Sequence, residues 1–291
     1  MSELNYSDYT HDFMGKVGNL EDFSMDFLAE LATIFEETIH FQYYAHTTVY
    51  GRKVGVHAAW DVAAEMSRGV LRQAMPMGRF LAPPGWDWKN AQYQARPFDV
   101  QVSDLNKDAL MRLIHSYWDQ YLKAHNMWID LWTKIIPDEE VWNALPELYE
   151  HIVGYQYPKL CKLFKIEPVH VVDYLKLACL SIDGTMGYGG EYIVINPDYV
   201  VLNLSRCEVM QKYIDEGLYP PKRAWKNCTF EQRISAPFFP TCKLEIKLPP
   251  ADLKIPQGQP FCVWIYTKGD QSAAGHKDLE PQPQFAFGSE A

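Results

Sequence analysis

The chain has 291 residues and a formal net charge of −10, with 47% hydrophobic and 14% aromatic residues. That length makes one large domain or two closely packed ones, and the apolar content can fill a sizeable core. The acidic balance, with no basic stripe to offset it, argues against nucleic acid and anionic membranes as partners.

The N-terminal MSELNYSDYTHDF has neither a basic n-region nor an apolar h-region, so no signal peptide is expected. No apolar run approaches the roughly 18 residues of a membrane span, and a cytoplasmic location is expected. Residues 1–20 read as an N-terminal arm and 21–166 as a helical region. Residues 167–268 read as an α+β region that binds ligand or carries catalysis, and 269–291 as a flexible tail. Within the helical region, apolar periodicity predicts helices over 24–50, from Val56 to about Met75, and from Asp104 to Ile136. Residues 76–101, with Pro76, Pro83, Pro84, Pro97, Trp86 and Trp88, read as a long loop. Pro137-Asp138-Glu139 opens another helix, punctuated by Pro146 and Pro158. Glu167-Pro168 starts one more, with proline at its first position, running to about Ile182.

The period then changes. DGTMGYGG (183–190) is glycine-rich, and EYIVI and YVVLNLSRC are β-rich runs separated by Asn196-Pro197-Asp198, which predicts a hairpin. CEVMQKYIDEG (207–217) reads as a helix, and TCKLEIKL (241–248) and FCVWIYT (261–267) as two further strands. The expected fold class is α+β: an N-terminal helical bundle followed by a small antiparallel sheet with helices.

The pattern His-x-x-Trp-Asp occurs twice, as HAAWD (57–61) and HSYWD (115–119). At 100° per residue, His57 and Asp61 fall on a charged face with Glu65, Arg68 and Arg72, and His115 and Asp119 on a polar one. Each tryptophan falls at the edge of the core-facing stripe. Glu37 and His40 form an E-x-x-H, the spacing of di-iron bundles, but no second E-x-x-H exists and both residues miss the apolar stripe of their helix. A solvated face is the expectation for all of these, with a di-metal carboxylate bundle enzyme as an alternative. His125 falls among Trp118, Tyr121, Trp128 and Trp132, and His170 on a face with Tyr174, Leu177, Ala178 and Ser181. Each is either a core histidine or a pocket histidine.

Six cysteines (161, 179, 207, 228, 242, 262) are scattered without a C-x-x-C pair, which predicts thiols rather than a disulfide framework. Cys207 ends a strand and opens a helix, where the macrodipole favours a thiolate; the alternative is a small buried apolar residue. Cys161, Cys179 and Cys242 read as core.

Residues from about 168 to 267 run as a helix, a glycine loop, Glu191-Tyr192 opening a hairpin, LNLSRC (202–207), then Cys228 with Glu231. PFFPTCKLEIKLPP follows, then Gly258 ahead of Cys262. This order resembles the α+β domain of the L-2-amino-thiazoline-4-carboxylate hydrolase-like family and, more distantly, the 4-vinyl reductase-type ligand-binding domain. YGRKVGVHAAWDVAAEM (50–66) is similar to the N-terminal helices of that group. Cys207, Cys228 and Cys262 match the family's cysteines, while Glu208 stands where the family commonly has proline.

Together these features point to a hydrolase or lyase acting on a small, cyclic or aromatic molecule. Cys207 is the candidate nucleophile, and His125 or His170 would move protons. Tyr188, Glu191, Cys228, Glu231 and Trp128 are the candidate substrate-binding residues. Should Cys207, Cys228 and Cys262 converge, zinc or iron is admissible. Glu37, His40, His57 and Asp61 form a second candidate metal set, and the cofactor stays unknown. The other expectations are a sensor or carrier that binds a small molecule without changing it, and a homo-oligomer formed through apolar helix faces.

Overall fold

The computed structural model describes residues 20–81, 102, 105–182, 189–206, 242–247, 257 and 259–268. The expected arm lies outside them except for Leu20, which is buried and opens a short 3-10 turn, Leu20–Asp22. Helix α1 follows over Met25–Val54. Its N-cap, Ser24, accepts the Phe27 N–H at 3.2 Å, and Gly55, at φ +86°, ends it by donating to the Gly51 carbonyl at 2.8 Å. That positive φ is open to glycine at little cost, so α2, Val56–Leu81, turns straight back along α1. Helix α3 spans Lys107–Trp132, capped by the Asn106 side chain on the Ala109 N–H at 2.9 Å. Helix α4 spans Asp138–Phe164 and carries three acidic residues in its first turn, where they complement the helix dipole.

Ring contacts fix how these helices pack. Phe41 stacks on Tyr155 at 4.1 Å, Tyr50 donates to the Val141 carbonyl at 3.1 Å, and Phe27 meets Phe164 at 5.6 Å, so α1 and α4 run antiparallel. Phe35 meets Trp118 and Tyr50 meets Trp132, so α1 and α3 run parallel. The result is an up-down-up-down bundle in which α1 lies against each of the other three helices. Its outside carries exposed ion pairs such as Arg52–Glu147 and Lys123–Asp119, each worth about 1 kcal/mol or less.

Several details differ from the sequence expectation. Helix α2 runs six residues past Met75 and holds Pro76 inside it, which shortens the expected loop. Helix α3 stops at Trp132, and the chain reaches Ile136 through turns. Pro146 and Pro158 sit inside α4 without ending it, because buried Leu145, Leu148, Tyr157 and Leu160 hold both flanks against the core. Helix α5 starts at Val171, not Pro168, and ends at Cys179. The Asp173 carboxylate accepts the N–H groups of Val169 and His170, at 2.9 and 2.8 Å, and so makes His170 the N-cap.

The predicted hairpin is present as β1 (Gly189–Asn196) and β2 (Tyr199–Arg206), joined at Pro197-Asp198. Strands β3 (Cys242–Lys247) and β4 (Cys262–Lys268) complete an antiparallel sheet in the order β1-β2-β4-β3. The fold is therefore α+β, with helices first. Tyr192, Val200, Leu202, Leu204, Leu244 and Tyr266 join the bundle's core, whereas Ile193, Tyr199, Val201 and Ile265 cluster separately, as alternation along strands demands. Helix α5 ties sheet to bundle. Val172 donates to the Pro197 carbonyl at 3.0 Å, His170 Nδ1 lies 3.0 Å from Asp198 Oδ1, and the Lys268 ammonium meets the Val169 carbonyl. The helix expected over 207–217 lies outside the described residues.

Candidate functional site

The interior of the bundle holds polar side chains where the helical pattern calls for apolar ones. On α1, Gln42 and His46 stand one turn apart, 1% and 0% exposed. On α4, Gln156 is 0% exposed. The antiparallel register that pairs Glu37 with Lys159 and Phe41 with Tyr155 sets Gln156 at the level of Gln42. On α3, His125 is also buried; its ring centre lies 6.3 Å from that of His46 and 5.6 Å from that of Tyr149 on α4. Trp128 stacks on His46 at 4.6 Å and nearly parallel, at 10°. Tyr50 and Trp132 continue the aromatic wall beyond it.

Both ring nitrogens of His46, and both polar atoms of Gln42 and of Gln156, have no hydrogen-bond partner among the described residues. A neutral imidazole offers one donor and one acceptor, and each carboxamide offers both. Leaving such a group buried without a partner costs about 1–3 kcal/mol. Three in the interior of one bundle are therefore a large expense, and they stand on helices rather than loops. No carboxylate is buried with them: the buried charged side chains among the described residues are Asp173 and Lys176, both on α5.

Burial, and then the neighbouring His125, hold the His46 imidazole well below its usual 6.5, so it is neutral. Burial also pushes His115 down. The groups facing His46 are Tyr50 on its own helix, His125 and Trp128 on α3, and Tyr149 beyond His125 on α4. Below pH 6.5 the unfolded chain takes up a proton at His46 that the folded chain refuses. Stability is thus full above about pH 6.5 and falls as the pH drops, by up to about 1.4 kcal/mol per unit for a fully buried imidazole. Urea denaturation from pH 8 to 5 should show that decline, and His46→Leu should flatten most of it; an unchanged slope would mean that His46 meets solvent.

The sequence candidates divide as follows. His125 and Trp128 are in this cluster, so the aromatic wall of α3 faces α1. His170 is not a core histidine: it caps α5, half-buried, with its ring pinned to Asp198. Glu37, His40, His57 and Asp61 are all exposed, and Glu37 is paired with Lys159. Among the described residues no three His, Cys, Asp or Glu side chains come together in a way that could hold a metal ion. Cys262 is buried at the start of β4, opposite Leu204. Glu191 lies on β1 opposite Asn203. Cys207, Cys228, Glu231 and Tyr188 lie outside the described residues.

Cys179 is core, as expected; burial pushes its thiol up to about 12, against a hydrogen bond with Tyr192 that pulls it back. Cys161 is also pushed up by burial, so neither is a thiolate near neutrality. The sequence reading missed Gln42, His46 and Gln156. The signal was available: counted from Leu28 at 100° per residue, Gln42 falls within about 40° of the Leu28–Phe35–Ile39 stripe and His46 directly upon it. It also missed Lys176, which α5 buries completely.

Among the described residues no helix is long and apolar enough to cross a membrane. No family model, no curated protein and no solved structure matches this chain.

Proposed function

We propose that the bundle interior binds a small, uncharged molecule with both donor and acceptor groups, with His46 holding it by hydrogen bonds and His125 exchanging protons with it, as in a hydrolase or lyase. The observation that carries this is the set of fully buried, unpartnered polar atoms on Gln42, His46 and Gln156. A ligand presenting complementary groups would satisfy six atoms at once, and an imidazole kept neutral by burial can donate a hydrogen bond from one nitrogen while accepting one at the other. The lack of a buried carboxylate beside them disfavours a cationic ligand. The resemblance to the L-2-amino-thiazoline-4-carboxylate hydrolase-like family is in keeping with a small nitrogen-containing ring.

A second reading, a carrier that releases its ligand unchanged, is favoured by the raised thiols of Cys161 and Cys179, neither of which is an activated nucleophile. A panel of small amides, lactams and nitrogen heterocycles, followed by thermal shift for binding and by mass spectrometry for product, separates the two. At least one compound should raise the melting temperature of the wild-type protein, and this shift should shrink in Gln42→Met and Gln156→Met. Conversion lost in His125→Phe with binding kept would mark an enzyme; a ligand recovered intact would mark a carrier. A shift undiminished in the methionine variants would place the site elsewhere.

A further inference from the structure

The seam between α1 and α2 opens, on its outer side, into a groove of about 540 Å³. A Cβ on Gly51 would lie 3.0 Å from the Ala59 Cβ, so the two helices approach closely at that point of the groove. Tyr43, Tyr44, Thr47 and Arg52 line the α1 side, and Val56 and Trp60 the α2 side. Of the six large apolar side chains left exposed among the described residues, three are here: Tyr44, Val56 and Trp60, the last 70% exposed. Concentrated exposure of this kind in a concave, mostly apolar space of ligand size is the usual form of a small-molecule site.

Charge selects the ligand. Arg52 is the one charged residue lining the groove, within a chain of net charge −10. Its guanidinium makes two bonds at the surface, Nε to the Thr48 carbonyl and Nη2 to Glu147, each at 2.6 Å. Among the described residues its second terminal nitrogen, Nη1, has no partner. A guanidinium and an exposed indole lining one groove suit a flat ring carrying a carboxylate.

We propose that this groove binds planar aromatic carboxylates, with the ring against Trp60 and the tyrosine side and the carboxylate on Arg52. The proposal does not depend on the site inside the bundle. The probes are 2-naphthoate and its neutral analogue 2-naphthamide, titrated into the full chain by calorimetry and by NMR of the indole N–H signals, with that of Trp60 assigned through Trp60→Phe. The acid should bind at least about tenfold more tightly than the amide. Trp60→Ala should weaken the acid about tenfold or more, Trp60→Phe only a few-fold, and Arg52→Gln should erase the preference for the acid. Trp60 is exposed, so its variants fold, and their circular dichroism serves as the control. Equal binding of acid and amide, or full affinity in Trp60→Ala, overturns the proposal. So does a doubled mass in solution that Trp60→Ala abolishes, since a second copy would then cover the groove.

Discussion

Methionine in place of both Gln42 and Gln156 raises the unfolding free energy by about 2–4 kcal/mol, measured by urea denaturation at pH 7.5. Methionine is close to glutamine in length and volume, so the seam between α1 and α4 keeps its packing while the stranded carboxamides disappear. The gain should come with a loss of ligand binding. Stabilising changes that remove function are what a binding site in a bundle core predicts, because the polar atoms are kept for a ligand and not for the fold. A fall in stability would mean that the carboxamides already have partners, and the interior would lose its claim to be the site.

Trp128→Ala lowers stability by about 3–5 kcal/mol, the range for emptying a buried aromatic position. Trp128 is fully buried, and its ring is shared by three neighbours: it stacks on His46, takes the edge of Tyr43 at 5.2 Å and lies parallel to Trp132 at 6.1 Å. The substitution also opens space beside His46, so the loss of stability below pH 6.5 should become shallower as the imidazole gains water. Trp60→Ala, on the outside of the same bundle, costs far less. A loss below about 1 kcal/mol for Trp128→Ala would contradict this packing.

The contrast between Trp60 and Trp118 shows how much of the fold could be seen in the sequence. Both sit in His-x-x-Trp-Asp, and helical angle alone puts both at the edge of the core. The structure buries Trp118 against Phe35 of the neighbouring α1 and leaves Trp60 in the open, beside the Ala59 that meets Gly51. Periodicity says which face is apolar; it does not say how near the next helix comes. The four strands and their hairpin were legible because alternation and Asn196-Pro197-Asp198 are local signals. The start of α5 was not, since a proline at the first helical position competes with an Asp173 cap that forms only once the turn is built.

His125 was found because aromatic neighbours on its own helix announced it. The histidine–carboxylate spacings of this sequence are more conspicuous than His46 and the glutamines, yet they mark surfaces as readily as sites. A polar residue on an apolar stripe carries more information than a familiar motif on a polar one.

The place of α1 has a historical consequence. Its buried face is shared among three seams, one with each neighbouring helix. Over evolutionary time the buried face of α1 is therefore the least free to drift in this bundle. A descendant that acquired a different ligand would do so by changes on α3 and α4, around a spine it had to inherit intact.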